Sequence, residues 1–205
     1  MHLRHRLAVE ALGREDWDAA RAVLEENRRR AETLGSDLLL GEVFAGLSWI
    51  ARSEENLEDA FSLDLRSLEH FRACGFVWLE CSLLCDLAEL AVTLGRCEEG
   101  EAYARDALRL ARRMNDRRHA AYALAELARG ALGRGEDEQA GTIWGAIEAE
   151  EARAPLGDWP QYRAAYAEQL ARQEGGELER GLRAGRSLSF DTMVALVLAS
   201  PAGGD

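Results

Sequence analysis

The sequence predicts an all-α protein: an α-solenoid of about four helical hairpins with a period of forty residues, closed by a C-terminal helical cap. Three observations predict it. Shifted against itself by forty positions, the chain superimposes Leu7, Leu47, Leu87 and Leu127, with Ala11, Ala51, Ala91 and Ala131. A further row holds Ala8, Ser48, Ala88 and Ala128. Rows that preserve both size and apolarity are the mark of a repeat protein. Second, helix-breaking residues recur with the same period, at Gly35, Gly75, Asn115 and Pro155. Third, apolar residues recur at spacings of three and four, as in Leu84, Leu87, Ala88 and Ala91, and no alternating strand pattern competes with them.

Each unit reads as two helices. The first carries Leu and small residues on one narrow face, and the small side chains let a neighbouring helix approach closely. The second follows a short turn such as "GRCEEG" at Gly95–Gly100 and carries the rows Ala20, Ala60, Gly100, Ala140 and Val23, Leu63, Tyr103, Ile143. Acidic residues mark the start of this helix: Glu15 and Asp16, Glu54 and Glu55, Glu98 and Glu99, Glu136 and Asp137. Arginines gather toward its end, at Arg28–Arg30 and Arg112–Arg113. Both biases complement the helix dipole, so these charge runs have a structural explanation. The repeats occupy residues 1–155. From 156 to 205 the pattern changes to three shorter helices: one opening at Trp159–Pro160, one over "GELERGLRAG", and one over "SLSFDTMVALVLAS" with Ser189 as its N-cap. They are expected to cap the repeats and to form one continuous domain with them.

The chain carries 25 basic residues, all Arg, against 37 acidic ones, a formal charge of −12. That field repels phosphate backbones and argues against direct nucleic-acid binding. The N-terminus lacks the apolar core of a signal peptide, and no apolar run is long enough to span a bilayer, so a cytoplasmic location with no membrane partner is expected.

The sharpest chemical constellation is His70, Cys74, Cys81 and Cys85, two i,i+4 pairs on adjoining helices. Four such ligands suit tetrahedral zinc. The repeat register favours packing instead, since Cys81 shares a row with Gly41 and Ala121, and Cys85 with Ala45 and Ala125. Cys97 shares a row with Trp17 and Leu57 and reads as core. No nucleophile elbow or Cys–His signature is present, and the carboxylates follow helix starts. We expect no enzyme, no metal and no cofactor.

The forty-residue hairpins, with Ala88, Ala91 and Gly100 at the turn-flanking rows, resemble the tetratricopeptide-repeat superfamily in its longer-period form. The run from "TIWGAIEAEEAR" to "GRSLSFDTMVALVLAS", roughly the last third of the chain, resembles the C-terminal region of bacterial LuxR-type regulators and signalling ATPases. Phe190 and Thr192 depart from that pattern, and neither a P-loop nor a helix-turn-helix is present.

The resemblance implies a right-handed solenoid whose concave wall is lined by one face of the first helices, and a segment that is the sensory arm of a longer protein. Carried onto this sequence, that face supplies Glu42, Trp49, Arg52, Trp78, Glu89, Arg118, Tyr122 and Arg129. Trp49, Trp78 and Tyr122 would anchor a bound segment, and Arg52, Arg118 and Arg129 would select for carboxylates. Because Trp49 shares its row with Glu89 and Arg129, that position is expected to be partly wet. The expected partner is a protein or peptide, or a second copy in a homo-oligomer. The alternative is a small molecule or short peptide sensed as an effector. The aromatics could equally pack against the C-terminal cap or against an upstream domain.

Overall fold

The computed structural model describes residues 12–14, 16–156, 159–171 and 176–200. Among the described residues there are ten helices in consecutive packing and no strand. They are α1 (Trp17–Leu34), α2 (Asp37–Ser53), α3 (Leu57–Cys74), α4 (Val77–Thr93), α5 (Cys97–Met114), α6 (Arg117–Gly133), α7 (Asp137–Arg153), α8 (Trp159–Ala171), α9 (Gly176–Arg186) and α10 (Phe190–Ala199). Leu7, Ala8, Ala11 and Glu15 lie outside the described residues.

The first seven helices begin at 17, 37, 57, 77, 97, 117 and 137, one every twenty residues. The turn chemistry sets this interval. Residues 35, 55, 75, 95, 115 and 135 all adopt positive φ, between 55° and 77°. At each of the six, the following residue's N–H reaches back to a carbonyl of the last helical turn, as in Ser36 to Ala31 at 3.0 Å and Glu136 to Ala131 at 2.9 Å. This is the Schellman closure, which satisfies carbonyls a helix end would otherwise leave unpaired. At two of the six the next residue also caps the following helix with its side chain. Ser36 accepts from Leu39 N–H, and Asp116 from His119 N–H. Ser189 caps α10 through Thr192 N–H at 3.1 Å, as its sequence position predicts.

Two charge assignments need correction. Glu54 and Glu55 belong to the turn, and the acids in the first turn of α3 are Glu58 and Asp59. Arg28–Arg30 lie before the last turn of α1, paired with Glu25, Glu26 and Glu32. They therefore brace one another's helix face and do not complement the dipole.

The chain divides inside α4 into two compact units, Met1–Leu83 and Leu84–Asp205. In the first, α2 packs on α1 and on α3. Ala20, Leu24, Val43, Phe44, Leu47 and Ile50 form a buried cluster. Gly41 lets the Phe71 ring lie against the α2 backbone, and Ser67 Oγ donates to Gly41 O at 2.8 Å. In the second, α6 packs on α5, α7 and α8, while α7 also takes α9. The α7–α9 interface is the closest. Gly141 and Gly145 face Gly181 and Gly185, and a Cβ at any of the four would overlap a backbone carbonyl of the opposite helix. Small residues four apart on both helices allow this approach. Helix α10 packs on α5 and α7. Arg105, buried on α5, pairs with Glu101 at 2.8 Å and donates to Val197 O and Ser200 O at the end of α10. Arg117 binds Glu150 at 2.6 Å and Asp191 at 3.1 Å, with its guanidinium 5.0 Å above the Phe190 ring.

Candidate functional site

Four of the eight groove residues fall in the first unit. On α2 the buried face holds Val43, Phe44, Leu47 and Ile50, so Trp49 is turned outward and is 59% exposed. Its wet position agrees with the register argument. Glu42 is half-buried. Arg52, one turn on from Ser48, is engaged by Asp64 of α3 at 3.1 Å, and the Asp64 side chain is almost wholly buried. Trp78, in the first turn of α4, is 44% exposed, and Leu34, Leu38 and Phe76 of the same unit are also exposed apolar residues. The structure therefore presents two tryptophans to solvent in this unit, while its one selector arginine is committed to an ion pair.

The other four lie in the second unit. Tyr122 sets its ring edgewise to His119, centroids 6.2 Å apart. Arg118 is half-buried beside Asp116. Burial raises the Asp116 pKa, but hydrogen bonds from the His119 backbone and ring, aided by the charge of Arg118, outweigh it and hold the carboxyl below its ordinary value. Arg129 meets helix α8. It donates to Glu126 at 2.8 Å, to Gln169 Oε1 at 2.7 Å and to Thr93 Oγ1 at 3.2 Å, and stands 5.6 Å from the Tyr166 ring. Helix α8 thus covers Arg129.

Beneath Arg129 lies a group the sequence reading missed. The Glu126 side chain is 1% exposed. One of its oxygens accepts from Tyr166 O–H at 2.6 Å and the other from Arg129. Burial pushes its carboxyl up, Arg129 and the Tyr166 hydrogen bond pull it down, and the nearby Glu89 carboxylate pushes it up again. The balance leaves it at about 7. Burial, and the charges of Glu126 and Glu89, push the Tyr166 phenol far above its usual range, so it stays a donor. Trp144 of α7 flanks the Tyr166 ring, centroids 6.2 Å apart. Glu126 stands in "ALAELARGAL", where an arginine three residues on gives it the pattern of a surface ion pair.

The cysteine–histidine quartet has other uses. His70 Nδ1 lies 2.8 Å from Asp37 and its ring stacks on Phe44, while Cys74 and Cys85 donate to backbone carbonyls of Phe71 and His119. Cys81 and Cys85 are buried, as their rows require. Cys97 is only half-buried, because its row is the first position of a helix and not the middle of a face. Among the described residues no group of three or more His, Cys, Asp or Glu is placed to hold a metal ion. No described helix is long and apolar enough to cross a membrane. No protein-family model, curated protein or solved structure matches the chain.

Proposed function

We propose that this chain is a non-enzymatic, tetratricopeptide-like interaction module of a cytoplasmic bacterial regulator of the LuxR type, stacked as a right-handed solenoid and binding a partner protein segment. The observation that carries the reading is Trp49, a large apolar side chain 59% exposed on a helix whose opposite face is fully packed. Trp is enriched among residues that dominate binding energy, and an indole held open to water on a rigid helix needs no rearrangement before it docks. Trp78, also exposed and also on a first helix, supports it.

Support for stacked repeats comes from the register of the contacts. Glu126 reaches Tyr166 and Arg129 reaches Gln169, both forty residues ahead. Asp37 pairs with His70 and Arg117 with Glu150, both thirty-three ahead and eighty apart along the chain. The regulator assignment rests on the resemblance of the last third of the sequence.

The test is capture of crosslinked partners from a cytosolic extract by wild type and by a Trp49→Ala/Trp78→Ala variant, both checked by circular dichroism. Arg129 is left intact because it holds α8. We expect a partner retained by the wild type and lost from the variant. Identical captures would remove the tryptophans from the binding surface and end this reading.

A further inference from the structure

The interface between α6 and α8 holds a cluster that the tryptophan surface does not use. The geometry points to a proton-coupled latch: Glu126 takes up a proton as Tyr166 of α8 closes over it, so α8 is held more firmly below neutral pH than above it. Glu126 sits in the middle of α6 with its carboxyl sealed from water, and the seal on one oxygen is the Tyr166 hydroxyl at 2.6 Å. A carboxylate placed there loses its hydration, and among the described residues Arg129 is the cation paired with it. The titratable and charged groups that face it are Glu89 from α4, Arg129 from its own helix and Tyr166 from α8. Glu89 repels the ionised form. Arg129 is shared, because Gln169 and Thr93 also take its N–H groups. Protonation removes the repulsion from Glu89 and the cost of lost hydration. The neutral acid can still bond Tyr166, whose hydroxyl both donates and accepts.

The sign follows from linkage. With α8 docked, the Glu126 carboxyl titrates at about 7. With α8 released, water reaches it and it moves back toward the ordinary value of 4.5. Between those values the docked state binds the proton and the released state does not. Docking is therefore strongest below pH 4.5, weakens through the window from 4.5 to about 7, and is level above it. Across the whole window the docked-to-released ratio falls on the order of a hundredfold. The steep part of that response ends near neutrality, where a small change in pH moves the population.

The test is hydrogen exchange of residues 159–171 in the full chain at pH 5.5, 7.0 and 8.5. Rates are divided by the intrinsic rate at each pH and compared with those of α7. The wild type is expected to lose protection in α8 by about tenfold or more between pH 5.5 and 8.5. Glu126→Gln, neutral at every pH, is expected to hold α8 with no such dependence. Equal pH profiles in the two proteins would overturn the latch. Should Glu126→Gln fail to fold, Glu89→Gln keeps the acid and removes its repulsive neighbour. The Glu126 side-chain carbon, followed by NMR, is then expected to titrate near 7 in wild type and lower in that variant. A wild-type midpoint near 4.5 with α8 protected, or an unmoved midpoint in Glu89→Gln, would also overturn it.

Discussion

Trp49 and Arg129 stand at the same point of the forty-residue register, and the two units treat that point differently. In the first unit it is an indole 59% exposed to water. In the second it is a guanidinium whose side chain is only 9% exposed, roofed by Tyr166 and Gln169 of α8 and seated on a buried glutamate. The exposed apolar side chains are distributed in the same sense: Leu34, Leu38, Trp49, Phe76 and Trp78 belong to the first unit, and among the described residues of the second only Leu196 joins them. The buried ionic groups lean the other way: among the described residues Glu101, Arg105, Glu126 and Glu150 are in the second unit and Asp64 is in the first. One repeat register thus serves two ends. Where a face is left open, the row carries a large aromatic in contact with water. Where the chain's own later helices cover it, the same row carries charge that must be satisfied from within.

The largest test of this contrast is at the buried arginines. Arg105→Met leaves Glu101 with Arg134, at 3.1 Å, in place of its buried partner and frees the terminal carbonyls of α10, and should cost about 3 kcal/mol in denaturant unfolding. Arg52→Met in the first unit leaves the buried Asp64, but the place vacated by an arginine a quarter exposed admits water beside that carboxylate. We expect about 1–2 kcal/mol there. Equal costs would mean that the two units do not differ in how deeply their charges are sealed. Next in size is Gly145→Ala. The added methyl would overlap Leu182 O, and because the obstacle is backbone the helices must part. A loss of about 2–3 kcal/mol is expected, with exchange protection falling first in α9. Gly133→Ala meets only the flexible Cys97 thiol and should cost less than half as much.

How much of this was legible beforehand depends on how local the cause is. The forty-residue recurrence of Gly35, Gly75 and Asn115 is written in turn residues that act on their own neighbours, as is the cap at Ser189, so these could be read from sequence without knowing any packing. The wet position of Trp49 was legible because its row also holds Glu89 and Arg129. The α7–α9 contact was not, although "GTIWG" and "GLRAG" both show glycines four apart. Nothing in either segment names the other, and glycine inside a helix ordinarily reads as weakness. Glu126 was hidden for a related reason. An acid three residues before an arginine on a helix reads as a surface pair until α8 is known to lie over it. The acids at 54 and 55 were assigned one turn too early because a left-handed residue at 55 delays the helix start to Leu57.

That residue supplies the smallest test and the only one expected to stabilise. Among the described residues six adopt positive φ; four are Gly, and Asn115 is a residue that tolerates the left-handed region. Glu55 is the exception, at φ 62° in the first unit. A side chain with a Cβ there costs about 1–2 kcal/mol relative to glycine. Glycine in turn gives the unfolded chain more freedom, which offsets about 0.5–1 kcal/mol of the relief. Glu55→Gly should therefore raise stability by about 0.5–1 kcal/mol, or roughly 2 °C in Tm for a chain of this length. The matching turn of the second unit provides the control. Gly95→Ala at φ 77° meets no atom within 4 Å, so any loss it causes is backbone strain and not crowding. It should destabilise by about 1 kcal/mol. A rise at 55 and a fall at 95 would show that both turns obey the same backbone rule and that the first unit carries a strain the second avoids. A fall at both positions would mean that the Glu55 side chain contributes more to the turn than its conformation costs.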